Sequence, residues 1–389
     1  VYAYTVYMRG YIMKEPLIMT PGPTEIHEEI RMAMARNITN PDLDPNFFEY
    51  YAETCNKLRK LLNTENDVLI LDGEGILGLE AACASVIEPG DRMLCIDNGI
   101  FGKGFGDFGK IYGAEVVYFK GDYRSAVDVN QLEEFLEKDN DFKLATVVHC
   151  ETPSGITNPV DRICPLLREH GIISVVDSVS AIGGEPIEVD NWQMDIALGG
   201  SQKCLSAAPG LTFLSISEIA WEAILNRETP IGSFYCNLAI WKDWYEEKWF
   251  PYTQPISSIY GLDCAVDRIL GEDDYIERHK KIANGVRKAI VESGLELYPI
   301  DGHSNTVTTV LIPEGITFDK INDRMIKEHN IMIAGAFDYL DGKVLRIGHM
   351  GENCYEEKIY ITLKALDETF KAHGIEIDGS MHKHFVDTI

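Results

Sequence analysis

Short apolar runs rich in Val, Ile and Leu alternate with helical stretches through the first two thirds of the chain. The segment Pro45 to Leu62, PNFFEYYAETCNKLRKLL, spaces Phe48, Tyr51, Cys55, Leu58 and Leu62 three or four apart, which predicts an amphipathic helix. It ends before the turn-like Asn63-Thr64-Glu65-Asn66. VLIL at 68–71, RMLCI at 92–96, EVVYF at 115–119, LATVVHC at 144–150 and IISVVD at 172–177 follow as strands, with helices through LGLEAACASVI, QLEEFLEK and CPLLREH between them. Uninterrupted apolar strands separated by helices predict a mostly parallel sheet covered on both faces, hence an α/β fold rather than an antiparallel sandwich. After about residue 262 the texture changes: the helical LDCAVDRIL and DYIERHKKIANGVRKAIVES lead into short strands, NTVTTVLI and KVLRIGHM, with more helices around them. The chain therefore divides into a large α/β domain over 17–262 and a smaller C-terminal α+β domain over 263–389. Residues 1–16 read as an N-terminal extension with no assigned function.

Composition narrows the classes of partner. With 45% apolar and 25% charged residues in 389, the chain has ordinary globular composition. Its 62 Asp+Glu against 35 Lys+Arg give a formal charge of −27, which repels phosphate backbones and anionic headgroups and so argues against nucleic acid and membrane partners. No apolar run approaches the roughly 20 residues of a membrane-spanning helix. Nine scattered cysteines, without a CxxC pair or zinc-finger spacing, predict a reduced cytoplasmic setting and no metal site.

The most informative stretch is Gly171 to Gly210. One buried strand ends in Asp177, and a second apolar run, DIAL, ends in Gly-Gly-Ser-Gln-Lys. Ligands of open α/β sheets bind at the carboxyl ends of the strands, so Asp177 and Lys203 can face one molecule. The pair suits pyridoxal chemistry: a carboxylate keeps a pyridine nitrogen protonated, while a lysine forms the Schiff base and then moves the proton. Spacing alone leaves the plainer alternatives open, a helix-capping Asp and a solvated Lys.

VVDSVSAIGG followed by GSQKCLSAAPG resembles the signature of the class V, fold-type I aminotransferases, the family that includes the alanine and serine glyoxylate enzymes. The likeness continues through TPGPTEI, NGIFGKGF, ETPSGITNP and RIGHMG, in family order. It implies that Lys203 is the Schiff-base lysine and Asp177 the partner of the pyridine nitrogen. Phe101 would stack on one face of the ring and Val179 pack on the other. Thr152 would meet the ring 3-oxygen, and Arg346 would hold the substrate carboxylate. Gly22 would let the backbone approach that carboxylate, or would only make the turn its flanking prolines predict. From the residues alone, Phe101 and Val179 read better as core, and Arg346 could be half of a structural ion pair. The resemblance also implies a homodimer or a dimer of dimers.

One motif departs from the family. Where most members cradle the phosphate of pyridoxal 5'-phosphate in a loop resembling Gly-Ser-Gly-Thr, this chain reads Gly73-Glu74-Gly75-Ile76. Phe250, in WFPYTQP, replaces a tyrosine that often reaches in from the neighbouring subunit, although Thr253 and Gln202 remain available to a phosphate. Two unit charges 4 Å apart interact by about 1 kcal/mol in water and about 4 at an effective dielectric of 20, so Glu74 aimed into the cup would repel a phosphate. Aimed elsewhere, it would cap the helix or face solvent. The run GEGILGLEAA, with GKGFG, the Lys-Cys-Leu at 203–205, Tyr260-Gly261-Leu262-Asp263 and RIGHMG, resembles the branch of the family that takes unphosphorylated pyridoxamine as substrate and pyruvate as acceptor. There Glu74 would face the hydroxymethyl end of the vitamer. That branch has a second Arg where this chain reads Ala334-Gly335-Ala336-Phe337, which leaves the oxo acid open, and the Ser-Gln before Lys203 is closer to the glyoxylate enzymes. The leading expectation is transfer of the amino group of pyridoxamine to pyruvate, giving pyridoxal and alanine in vitamin B6 degradation. A pyridoxal-phosphate-dependent alanine/serine–glyoxylate aminotransferase is the alternative. A non-catalytic vitamer-binding protein is a third, opposed by the joint presence of Lys203, Asp177 and Arg346.

Overall fold

A computed structural model describes residues 15–389 and two short strands, Tyr7–Met8 and Tyr11–Ile12; the expected N-terminal extension otherwise lies outside the described residues. Seven strands form the central sheet: β1 (Asp67–Asp72), β2 (Arg92–Asp97), β3 (Glu115–Lys120), β4 (Leu144–Val148), β5 (Ile173–Asp177), β6 (Ile196–Gly200) and β7 (Leu211–Ile216). Their order across the sheet is β1-β7-β6-β5-β4-β2-β3. All neighbouring pairs from β6 to β3 are parallel, whereas β7 runs antiparallel to both β6 and β1. The expected mostly parallel sheet is present, and β7 is the strand that sequence reading missed. LTFLSI is as apolar as its neighbours, but the turn after Lys203 is too short for a crossover helix, so the chain returns antiparallel.

The helix predicted from Pro45 to Leu62 forms over those residues. Asp44 caps it by accepting the N–H of Asn46 at 2.9 Å, and Asn63 ends it in the left-handed region at φ 51°. Its face of Phe48, Tyr51, Cys55, Leu58 and Leu62 is buried against the sheet's core.

The expected domain boundary at 262/263 falls inside one continuous helix, Ile256–Leu270. A large buried core runs from Phe47 to Val266, and a second begins at Ile282. Amphipathic periodicity continues unbroken across 262, so texture alone placed the division early. The second core also takes Met19, because Leu17–Ile18 pairs in parallel with Ile331–Met332. Beside it, Val307–Leu311 pairs antiparallel with Val344–Gly348, the strand that carries Arg346. Among the described residues no helix is long and apolar enough to cross a membrane.

Candidate active site

Strand register places the chemistry. Asp177 closes β5 and pairs with Val148 of β4 on one side and Leu198 of β6 on the other, so three strands deliver their carboxyl ends at one level. Lys203 follows the end of β6. Its Nζ donates to the carbonyl of Pro21 at 2.7 Å, and Gly22, at φ +92°, lies so close that a Cβ there would come within 2.7 Å of the amine. Only glycine serves, since both the positive φ and the contact exclude a side chain. Burial and the nearby Arg346 charge lower the Lys203 pKa from its usual 10.5, against the opposing pull of Asp177. A larger neutral fraction suits an amine that must act as nucleophile and base.

Asp177 is buried, and among the described residues its carboxylate has one hydrogen-bond partner, the N–H of Val179, at 2.9 Å from Oδ1. Burial raises its pKa to about 6. A buried carboxylate with no cation hydrogen-bonded to it is costly, and it suits a cationic N–H donor on a bound molecule. Val179 packs against Gly75, where a Cβ would approach to 2.8 Å, so the start of helix Gly75–Val86 comes down onto this side chain.

Arg346 is the second unbalanced charge. Its Nε donates to the carbonyl of Gly335 at 2.6 Å and Nη1 to that of Thr152 at 3.3 Å, and among the described residues no carboxylate lies within salt-bridge distance. Burial pulls its pKa down to about 10. A guanidinium oriented by two carbonyls, with no acid beside it, fits an incoming carboxylate. Thr152 Oγ1 lies 2.5 Å from Ser180 Oγ, both buried.

Glu74 does two of the things foreseen for it at once. As N-cap of helix Gly75–Val86 it accepts the N–H of Ile76 on Oε1 at 3.2 Å, while Oε2 accepts from Gln202 Nε2 at 3.3 Å. The side chain is solvent-exposed while it does so, and its charge also raises the Asp177 pKa. Gln202 retains a buried, unpartnered Oε1. Ile76 is 43% exposed and contributes its backbone N–H.

Phe101 opens the helix Ile100–Ile111 beside Asp97 at the end of β2. Its N–H and that of Gly102 donate to the buried carboxylate of Glu151, which no sequence pattern singled out although it begins ETPSG. Burial, reinforced by Asp177 and Asp97, raises the Glu151 pKa to about 8 against the pull of those two N–H donors. Gly99, the residue before this helix, leaves the room that Glu151 occupies.

Two expected site residues lie away from this chain's own crevice. Phe250 is 3% exposed within an aromatic cluster, stacked on Phe48 at 4.6 Å between ring centroids and tilted against Tyr51 at 5.0 Å. Without the hydroxyl of the family's tyrosine the ring loses nothing by burial in its own chain, and it does not line the crevice. Thr253 is exposed and makes no hydrogen bond to the crevice residues. No group of three or more His, Cys, Asp or Glu among the described residues is placed to hold a metal ion.

Comparison with known proteins agrees with this geometry. Residues 25–335 match the aminotransferase class-V family. The chain is 35% identical to an uncharacterised aminotransferase of Methanocaldococcus jannaschii, over 94% of this chain and 95% of that one. It is 32% identical to a pyridoxamine–pyruvate transaminase of Mesorhizobium japonicum, over 92% and 93%. The crystal structure of a ureidoglycine–glyoxylate aminotransferase of Bacillus subtilis superposes with a TM-score of 0.94 at 31% identity, covering 98% of this chain and 99% of that one. Motif order, strand topology and family likeness thus converge, and the chain belongs to the class-V aminotransferases of fold type I.

Proposed function

We propose that the protein transfers the amino group of unphosphorylated pyridoxamine to pyruvate, giving pyridoxal and alanine. The observation that carries this reading is Glu74. The start of helix Gly75–Val86, where a phosphate would collect backbone N–H donors, already has a carboxylate on the N–H of Ile76. A hydroxymethyl group can donate to that carboxylate, whereas a phosphate brings nearly two like charges against it.

When bound, a pyridoxal ring supplies a carbon that exchanges amino groups and a conjugated system that takes up the electron pair released beside it. The residues do the rest. Asp177 holds the proton on the ring nitrogen and so keeps the ring an electron acceptor. Lys203 Nζ, freed from the carbonyl of Pro21, moves the proton between the vitamer's 4′ carbon and the α carbon of the amino acid. Thr152 and Ser180, whose hydroxyls are hydrogen-bonded to each other, would present them to the ring oxygen, and Phe101 and Val179 would hold the two faces. Arg346 fixes the carboxylate of the oxo acid. The protein acts as a homodimer in this reading, and the exposed Ile76, Phe234 and Trp249, at 43%, 58% and 48%, are apolar surface for a second copy to cover.

A second reading, pyridoxal 5'-phosphate as cofactor with glyoxylate as acceptor, is favoured by one observation. Thr253 stands exposed, free to reach a neighbouring subunit's phosphate. One experiment separates them: the purified protein is mixed with pyridoxamine and pyruvate, and pyridoxal is followed by absorbance, in wild type and Glu74→Ser. Pyridoxal should form, and Glu74→Ser should raise the affinity for pyridoxal 5'-phosphate relative to pyridoxal by about tenfold or more. Tight phosphate-cofactor binding by the wild type with no pyridoxal formed would sink the first reading.

A further inference from the structure

We propose that Phe337 sets the limit on the substrate's side chain, so that the enzyme accepts small uncharged 2-oxo acids and rejects branched and dicarboxylic ones. The inference rests on the aminotransferase site described above and adds the residue that decides its acceptor. Phe337 lies edge-to-face against Phe101, with ring centroids 6.1 Å apart and planes at 74°, so its ring borders the ring expected to stack on the vitamer. Two residues earlier, the carbonyl of Gly335 holds Arg346 Nε, and Ala334 exchanges both backbone hydrogen bonds with Arg346. Residues 334–337 and the carboxylate-binding arginine therefore move as one piece. The piece is anchored below by Ala336, Tyr339 and Leu340, which pack with Ile100, the residue before Phe101.

A 2-oxo acid has three substituents at its reacting carbon to place. The carboxylate goes to Arg346 and the carbonyl to the amine being transferred beside Lys203. The side chain must leave in the remaining direction, past the ring expected to stack on the vitamer, and Phe337 borders that ring. Phe337 is 47% exposed, and the residues 334–336 before it are half-buried. Charge follows the same logic. Ala334-Gly335-Ala336-Phe337 brings no cation, Asp338 follows with an acid, and Arg346 is already used by the α-carboxylate. A second carboxylate on the substrate would be desolvated without a partner. Hydrophobic walls discriminate added methylenes by roughly 10- to 200-fold, which is the scale of selection one ring can provide.

The test loads the protein with the amine form of the vitamer and follows its conversion in single turnovers with pyruvate, 4-methyl-2-oxopentanoate and 2-oxoglutarate. Wild type, Phe337→Ala and Phe337→Trp are compared, all at a partly exposed position that the fold tolerates. Phe337→Ala should raise kcat/KM for 4-methyl-2-oxopentanoate relative to pyruvate by about tenfold, mainly through KM. It should leave 2-oxoglutarate poor, and Phe337→Trp should slow even pyruvate. Ligand-observed NMR with the unreactive 4-methylpentanoate and propanoate supplies a readout apart from turnover: the branched acid should gain on the straight one in Phe337→Ala. An unchanged ratio, or an equal fall for every acid, overturns the proposal. If only the phosphorylated amine loads, the pyridoxamine reading fails, while the same ratios measured on that form still decide the role of Phe337.

Discussion

Asp177 offers the most direct test of how this site is built, because its carboxylate is buried at a cost with no cation hydrogen-bonded to it. Burial raises its pKa from 3.8 to about 6. At 1.36 kcal/mol per pKa unit, the ionised side chain destabilises the vitamer-free protein by about 3 kcal/mol near pH 7.5. The sign follows from linkage. A carboxyl whose folded pKa lies above its unfolded one binds more protons when folded between those values, so stability falls as pH rises from about 4 to about 6 and then levels. Asp177→Asn removes the charge and keeps an acceptor for the Val179 N–H. Its new N–H₂ carries a fixed penalty of about 1–3 kcal/mol, so the pH dependence, and not one value, is the observable. Between pH 5 and pH 7.5 the stability of wild type relative to Asp177→Asn should fall by about 1.4 kcal/mol, read from urea unfolding of both proteins without vitamer. Saturating pyridoxal should flatten that dependence in wild type, because the ring nitrogen supplies the missing cation, and Asp177→Asn should lose turnover. Parallel curves for the two proteins across this pH range would refute the reasoning.

Two further outcomes follow from the same geometry. Arg346→Lys loses the planar fork that contacts the carbonyls of Gly335 and Thr152 while leaving an edge for the substrate, so KM for the oxo acid should rise about 30-fold or more, with a smaller change in kcat, in steady-state kinetics. Phe250→Ala empties the centre of the aromatic cluster and should cost about 3–5 kcal/mol in urea unfolding, while vitamer affinity of the folded protein, measured by absorbance titration, stays within about twofold.

The sequence by itself determined what is local. Val- and Ile-rich runs between amphipathic helices specified six of the seven sheet strands, and a strand ending in Asp177 followed by Gly-Gly-Ser-Gln-Lys marked the crevice. Periodicity and turn residues act over a few positions, and there the chain is its own evidence. Tertiary structure alone decided the rest. Gln202 reaches Glu74 across 128 positions and Arg346 reaches Thr152 across 194, so neither contact is written in any spacing. Whether Glu74 capped a helix or bonded a neighbouring side chain was undecidable from its type, since a carboxylate suits both, and in the fold it does both while solvent-exposed. The same holds for Phe250, whose position in a motif pointed outward and whose apolar ring found a core instead. Arg346 stood for either an ion pair or a ligand-binding group until the folded chain left it half-buried with no acid at salt-bridge distance among the described residues, because charge balance is a property of what surrounds a residue and not of its neighbours in sequence.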